Sequence, residues 1–334
     1  MTEVVQSADP VSHSFEIEIE PYGNHRIAAW IYPPRYPPDV FPVVWCFDIP
    51  GGTYRGKAYY DRQVPGYVNF SFSFARHLAS QGIGHIVIDN LGTGESSRGI
   101  PSEKVNAALL TKAYTQVVAQ IREGLQNKTL VEGLPAIPSE SLLLAGVGHS
   151  MGDFILTHLQ ATQHPFDVVV KLGMPYQEEN VRAFMSNSNG DAQALLAEFR
   201  KHADDEEFAR ATRPYFRHVF YSDRVPRALI DIDEAEATIT PLGLFTDVFS
   251  DMAEAAKWAS NVVGPVFIGF GEKEIPNPRA EVQSYASSFS INLRILAGAA
   301  HCNFFDPNRT ELWGEIAAWL RAKAASMKLP ITRY

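Results

Sequence analysis

Five short runs in this chain are almost continuously apolar: Val43–Phe47, His85–Asp89, Leu142–Val147, Val168–Leu172 and Val266–Phe270. A strand with one face in water alternates apolar and polar residues. A run without that alternation has both faces covered, as parallel strands do between layers of helices. Helix-length patterns separate the runs, among them Lys104–Glu123 and the C-terminal Arg309–Lys323, in which Leu312, Ile316 and Leu320 recur every fourth residue. Phe15–Ile19 and Ile27–Ile31 do alternate, and predict antiparallel, half-exposed strands at one edge; Leu293–Leu296 supplies a last strand. The expected architecture is α/β: an eight-stranded, mostly parallel sheet covered by helices.

Between Pro175 and about Lys257 the strand rhythm stops. This stretch has helical spacing and aromatic clusters such as RPYFRHVFY, Arg213–Tyr221, and it is neither low-complexity nor Gly/Ser-rich. It reads as a helical cap over residues 176–257, inserted into a core made of residues 1–175 and 258–334. The 334-residue chain is 46% hydrophobic, enough for a large core. Its net charge of −9, without a basic stripe, argues against nucleic acid or an anionic membrane as partner and in favour of a small molecule. The start, MTEVVQSADPVSHS, lacks the charged and apolar regions of a secretory signal, and no run of 18 apolar residues occurs, so a cytoplasmic location is expected. Cys46 and Cys302 are then expected as reduced thiols.

GHSMGD, Gly148–Asp153, falls between the buried strand pattern Ser141–Val147 and the helical pattern Phe154–Gln160. A serine on a sharp strand-to-helix turn needs glycines two residues before and after, because side chains there collide with the neighbouring strand and helix. Ser150 is therefore a candidate nucleophile. A serine hydroxyl is weak until a base takes its proton and a third group orients the base. His301, in the loop AGAAHCNFF after the last strand, is the candidate base. The acid is expected after Val266–Phe270, where GEKEIPNP offers Glu274, with Glu272 as its rival. For the oxyanion, the Met151 N–H at the helix start and an N–H of Gly52 or Thr53, in DIPGGTYRGK after the third strand, are the candidate donors. Asp48, Tyr54 and His149 lie beside these groups in sequence and are candidate substrate contacts.

Two loops imitate other sites. Gly51-x-x-x-x-Gly56-Lys57 matches most of a phosphate-binding loop, but Ala58 stands where a Ser or Thr should ligate magnesium. GTGESSRG, Gly92–Gly99, lacks the third glycine of a dinucleotide loop. No metal-ligand spacing such as H-E-x-x-H occurs, and the chemistry above needs no cofactor or metal.

PGGTY, IDNLGTGESS, GHSMGD, GEKE and AAHCNFF, in this order over nearly the whole length, resemble the α/β-hydrolase superfamily. The resemblance implies that fold with its Ser…acid…His order and acyl transfer to Ser150 followed by hydrolysis. Three positions depart from the usual pattern: Pro50-Gly51-Gly52 at the oxyanion loop, Asp153 after the elbow, and Glu in place of Asp as the acid. The expected substrate is a carboxylic ester or lactone. Phe184, Phe199, Phe208, Tyr215 and Phe216 suggest that it is largely apolar. A C–C bond hydrolase of a diketone-like substrate, an acyltransferase and a non-catalytic ligand-binding member of the fold are the alternatives.

Overall fold

A computed structural model of the chain describes residues 9–35, 42–68, 71–187, 197–198, 200–250 and 252–327. Eight strands form one sheet: β1 (Val11–Ile19), β2 (Gly23–Tyr32), β3 (Val43–Ile49), β4 (Ile83–Ile88), β5 (Leu142–His149), β6 (Val168–Leu172), β7 (Pro265–Gly271) and β8 (Ser290–Leu296). Their order in space is β1-β2-β4-β3-β5-β6-β7-β8. β1 and β2 pair antiparallel, as do β2 and β4, and every other pairing is parallel.

Along β3 successive side chains alternate between two buried clusters: Val43, Trp45, Phe47 and Ile49 face one, Val44 and Cys46 the other. Both faces are covered, which is why these strands carry no polar alternation. The first cluster packs under α3 (Ala107–Asn127) and α4 (Met151–Gln163), the second under α1 (Gly56–Tyr60), α2 (Phe74–Ala79) and α11 (Arg309–Met327). The half-exposed pattern expected of the first two strands holds in β1. The second half of β2 is buried instead, because β1 and β4 flank it and Ala29 and Trp30 contribute to opposite clusters.

Helix α3 begins later than expected: residues 102–104 make a 3-10 turn, and the Asn106 side chain caps α3 by accepting the Leu109 N–H at 2.9 Å. Between β6 and β7 lie α5 (Glu178–Asn187), α6 (Glu206–Thr212), α7 (Arg217–Phe220), α8 (Arg227–Ala235), α9 (Leu242–Ser250) and α10 (Met252–Asn261). The boundary expected at residue 257 falls inside α10, whose Trp258 packs edge-on against Phe154 and His158 of α4. Because the central strands run parallel, the loops after β3, β4, β5, β6, β7 and β8 all leave from one edge of the sheet, where such folds place their sites. Among the described residues no helix is long and apolar enough to cross a membrane.

Candidate active site

Ser150 follows the last residue of β5 and precedes α4, with φ 55° and ψ −124°, a backbone conformation costly for a residue with a side chain. Its N–H donates to the Leu172 carbonyl at 2.8 Å, so the end of β6 holds the turn. The neighbouring glycines are forced by contact. A Cβ at Gly148 would lie 2.6 Å from the Gly152 carbonyl oxygen, and one at Gly152 would lie 2.1 Å from that of Ile49. Asp153, the unusual residue of the elbow, is buried and forms an ion pair with Lys171 of β6, whose ammonium also donates to the Thr157 hydroxyl. Burial lifts the Asp153 carboxyl to about 6 despite the Lys171 charge. The departure thus ties the first turn of α4 to the adjacent strand.

The His301 Nδ1 lies 2.5 Å from the Glu274 carboxyl, and both residues are buried. The other Glu274 oxygen accepts the Gly271 N–H at 2.9 Å. Gly173, at φ +74°, makes room, since a Cβ there would stand 2.9 Å from the Glu274 carboxyl and 3.1 Å from the imidazole. Glu272 points elsewhere and accepts the Gly298 N–H at 2.7 Å in an exposed loop. Of the two candidate acids, Glu274 is the one joined to the imidazole. Burial pushes its carboxyl up to about 8, with the Gly271 N–H pulling the other way. Burial lowers the imidazole to about 3, and the Arg213 charge adds to that shift. The ring sits between Phe184 and Phe220, with centroids at 5.3 and 5.4 Å. The His301 backbone N–H donates to the Val219 carbonyl and the Cys302 N–H to that of Phe220, so α7 fastens the loop that carries the candidate base.

The loop after β3 lies against the elbow: a Cβ at Gly51 would be 3.1 Å from the Ser150 Cβ. Thr53 has φ 63° and is held there by Arg213, just after α6, and by the loop between α8 and α9. Its N–H donates to the Thr240 hydroxyl at 2.8 Å, its carbonyl accepts the Thr238 N–H at 3.0 Å, and its hydroxyl accepts from Arg213 at 2.5 Å. The Thr53 N–H is therefore occupied, whereas the Gly52 N–H has no acceptor among the described residues. Met151 opens α4, where the first N–H groups lack intrahelical partners. Of the candidate backbone donors, the Gly52 and Met151 N–H groups are the two left without an acceptor among the described residues. The loop that imitates a phosphate site is occupied by a carboxylate: Asp89 accepts the Gly56 N–H at 2.7 Å and the Glu95 N–H at 2.8 Å, organising both look-alike loops at once.

Ser150, His301, Gly52, Thr53 and Met151 border one cavity. Its remaining wall is mostly apolar, from Met174, Phe184, Phe216, Phe220, Phe245 and Phe249. Of the other aromatic residues expected to be important, Phe208 stacks on His202, Tyr215 is exposed and Phe199 lies outside the described residues. Asp48, Tyr54 and His149 do not line the cavity. Asp48 faces away along β3 and pairs with His85 at 2.7 Å. His149, the last residue of β5, stacks on Tyr59 behind the site and hydrogen-bonds the His301 carbonyl at 3.0 Å. The Tyr54 hydroxyl donates to Asp233 at 2.9 Å.

That Asp233 centres a buried cluster unsuspected from sequence. It accepts from Arg62 at 2.6 Å, Arg213 at 2.9 Å and the Tyr221 hydroxyl. Burial alone would raise the Asp233 carboxyl, but the two guanidiniums and the tyrosine hold it below its ordinary value. Arg213, sandwiched between the Tyr54 and Phe220 rings at 4.4 and 3.9 Å, also borders the cavity, as does Thr240. The motif RPYFRHVFY held the only available signal, an arginine amid aromatic residues. Among the described residues no group of three or more His, Cys, Asp or Glu could hold a metal ion.

Known proteins agree with this geometry at the level of the fold. Among curated proteins none matches the chain. Solved structures resemble it closely in backbone but not in sequence. An esterase from Exiguobacterium antarcticum has a TM-score of 0.63 at 13% identity, covering 92% of this chain and 100% of its own. A proline iminopeptidase from Mycobacterium smegmatis has 0.62 at 16%, covering 95% and 99%. An epoxide hydrolase from Vigna radiata has 0.61 at 9%, covering 93% and 98%. The model of the alpha/beta hydrolase family matches residues 30–311, and the chain belongs to that family.

Proposed function

We propose that the protein is a serine hydrolase that cleaves a carboxylic ester or lactone of a largely apolar small molecule through an acyl-enzyme on Ser150. The observation that carries this reading is a strained serine sharing an apolar cavity with an imidazole whose far nitrogen is 2.5 Å from a buried carboxyl. His301 takes the Ser150 proton as Oγ attacks the carbonyl carbon, and the oxygen that becomes negative is met by the Gly52 and Met151 N–H groups. Collapse expels the alcohol, which leaves with the proton from His301. A water then repeats the sequence on the acyl-enzyme, with His301 as base, and frees the acid. No step calls on a cofactor. The aromatic wall favours an apolar acyl or ring group over a charged one.

The test is intact-mass labelling with a fluorophosphonate on wild type and Ser150→Ala, followed by a panel of apolar esters and lactones. A single adduct on wild type alone, with turnover of panel members, is the expected result. A folded wild type that stays unlabelled would overturn the reading.

A further inference from the structure

We propose that the Thr240 hydroxyl is a third donor to the oxyanion, supplied by the segment between β6 and β7; the assignment rests on the acyl-transfer reading above. Thr240 is 95% buried and borders the cavity together with Ser150, Gly52 and Met151. Its Oγ1 lies 3.1 Å from where a Cβ on Gly52 would stand, so the hydroxyl rests against the residue whose N–H is already an oxyanion donor. Its oxygen accepts the Thr53 N–H at 2.8 Å, while its own proton has no acceptor among the described residues. A buried donor beside an apolar wall is costly unless something arrives to accept from it. The charge developing on the substrate oxygen is such an acceptor. The N–H donated into the hydroxyl polarises its O–H bond, and the rotamer is already set, so no reorganisation is needed when that charge appears.

The competing role is mechanical: Thr240 could serve only to pin Thr53 at its positive φ. Glycine adopts that conformation freely, so a Thr53→Gly background removes the need for a pin while keeping the oxyanion chemistry. The experiment measures the second-order rate of fluorophosphonate inactivation, in which the phosphoryl oxygen takes the oxyanion position, with thermal melting as a check of folding. Thr240→Val should react roughly 10- to 100-fold more slowly than wild type, and Thr240→Ser within about 3-fold. In the Thr53→Gly background Thr240→Val should impose the same loss. If Thr240→Val does not fold, Thr240→Cys, close in size and a weak donor, carries the comparison. An unchanged rate, or a loss that disappears in the Thr53→Gly background, would overturn the assignment and leave the hydrolase reading standing. A wild type unlabelled at Ser150 would overturn both.

Discussion

The two halves of the site are held by different physics. Ser150 sits at the end of β5, where a parallel hydrogen-bond ladder fixes the backbone. Glu274 and His301 follow the ends of β7 and β8 in short loops, the second of which also leans on the α7 carbonyls. Thr240, Arg213 and the α7 carbonyls come from a helical segment with no ladder. Side chains fix them instead: two arginines and two tyrosines converge on Asp233, and the threonine contacts pin the loop after β3. A ladder tolerates loss of a side chain. A buried ionic cluster does not, because removing one partner leaves another charge unsolvated. The sheet half should therefore fail chemically and the Asp233 cluster of the helical half structurally, while Thr240, which carries no charge, should fail chemically.

The largest expected effects test the first claim. Ser150→Ala and His301→Ala should each lower kcat/KM for an apolar ester by about 10^4- to 10^6-fold with little change in melting temperature. A loss of folding in either variant would blur the distinction. Glu274→Gln should cost about 10^2- to 10^4-fold, and Glu272→Ala almost nothing. The reverse pattern would transfer the acid to Glu272.

Arg213→Met tests the second claim. Arg62 also pairs with Glu236 at 2.5 Å, so the change leaves two carboxylates, Asp233 and Glu236, sharing one guanidinium and should destabilise the fold by about 3–5 kcal/mol in denaturant titration. Replacing Asp233 by Asn in addition should recover part of that loss, since the uncompensated charge is gone. Additive losses would mean that the cluster is not ionically coupled.

This contrast also explains what could be read from sequence. The elbow is local: glycines two residues either side of Ser150, with a strand and a helix flanking them, announce their purpose within a dozen positions. Strand order then leads to His301, and the loop after β7 narrows the acid to two residues. The helical wall is non-local, with 187 residues separating Thr53 from Thr240, and no periodicity reports which face of a short helix turns toward the sheet ends. Adjacency in sequence misled in the other direction. His149 and Tyr54 are neighbours of candidate site residues, yet their side chains point behind the site.

The pH profile should sharpen the picture of the sheet half. Burial raises the Glu274 carboxyl to about 8 and lowers the imidazole, so as pH falls the first proton taken up by the pair goes to the carboxyl. A protonated Glu274 donates to Nδ1, which places the imidazole proton on Nε2 and leaves no lone pair for the Ser150 proton. Activity should thus be lost on the acid side with a midpoint above the ordinary imidazole value of about 6.5. In Glu274→Gln the residual activity should persist below that value, because the remaining buried imidazole resists protonation. A wild-type midpoint at or below 6.5 would mean that the carboxyl is ionised throughout.

The smallest expected effect concerns Asp48, which sits two residues before the oxyanion loop yet belongs to the strand interior. Its carboxyl is buried, paired with His85 at 2.7 Å, and its second oxygen has no hydrogen-bond partner. Burial raises the pKa of this carboxyl, with the His85 charge and hydrogen bond opposing the shift. Asn keeps the shape and one acceptor while removing a charge that burial already disfavours. Asp48→Asn should therefore leave kcat/KM within about 2-fold and stability within about 1 kcal/mol. A tenfold fall in kcat with unchanged melting would place Asp48 among the groups that aim the Gly52 N–H. The line between the two halves would then run through β3 itself, not between the sheet and the helices that cover its ends.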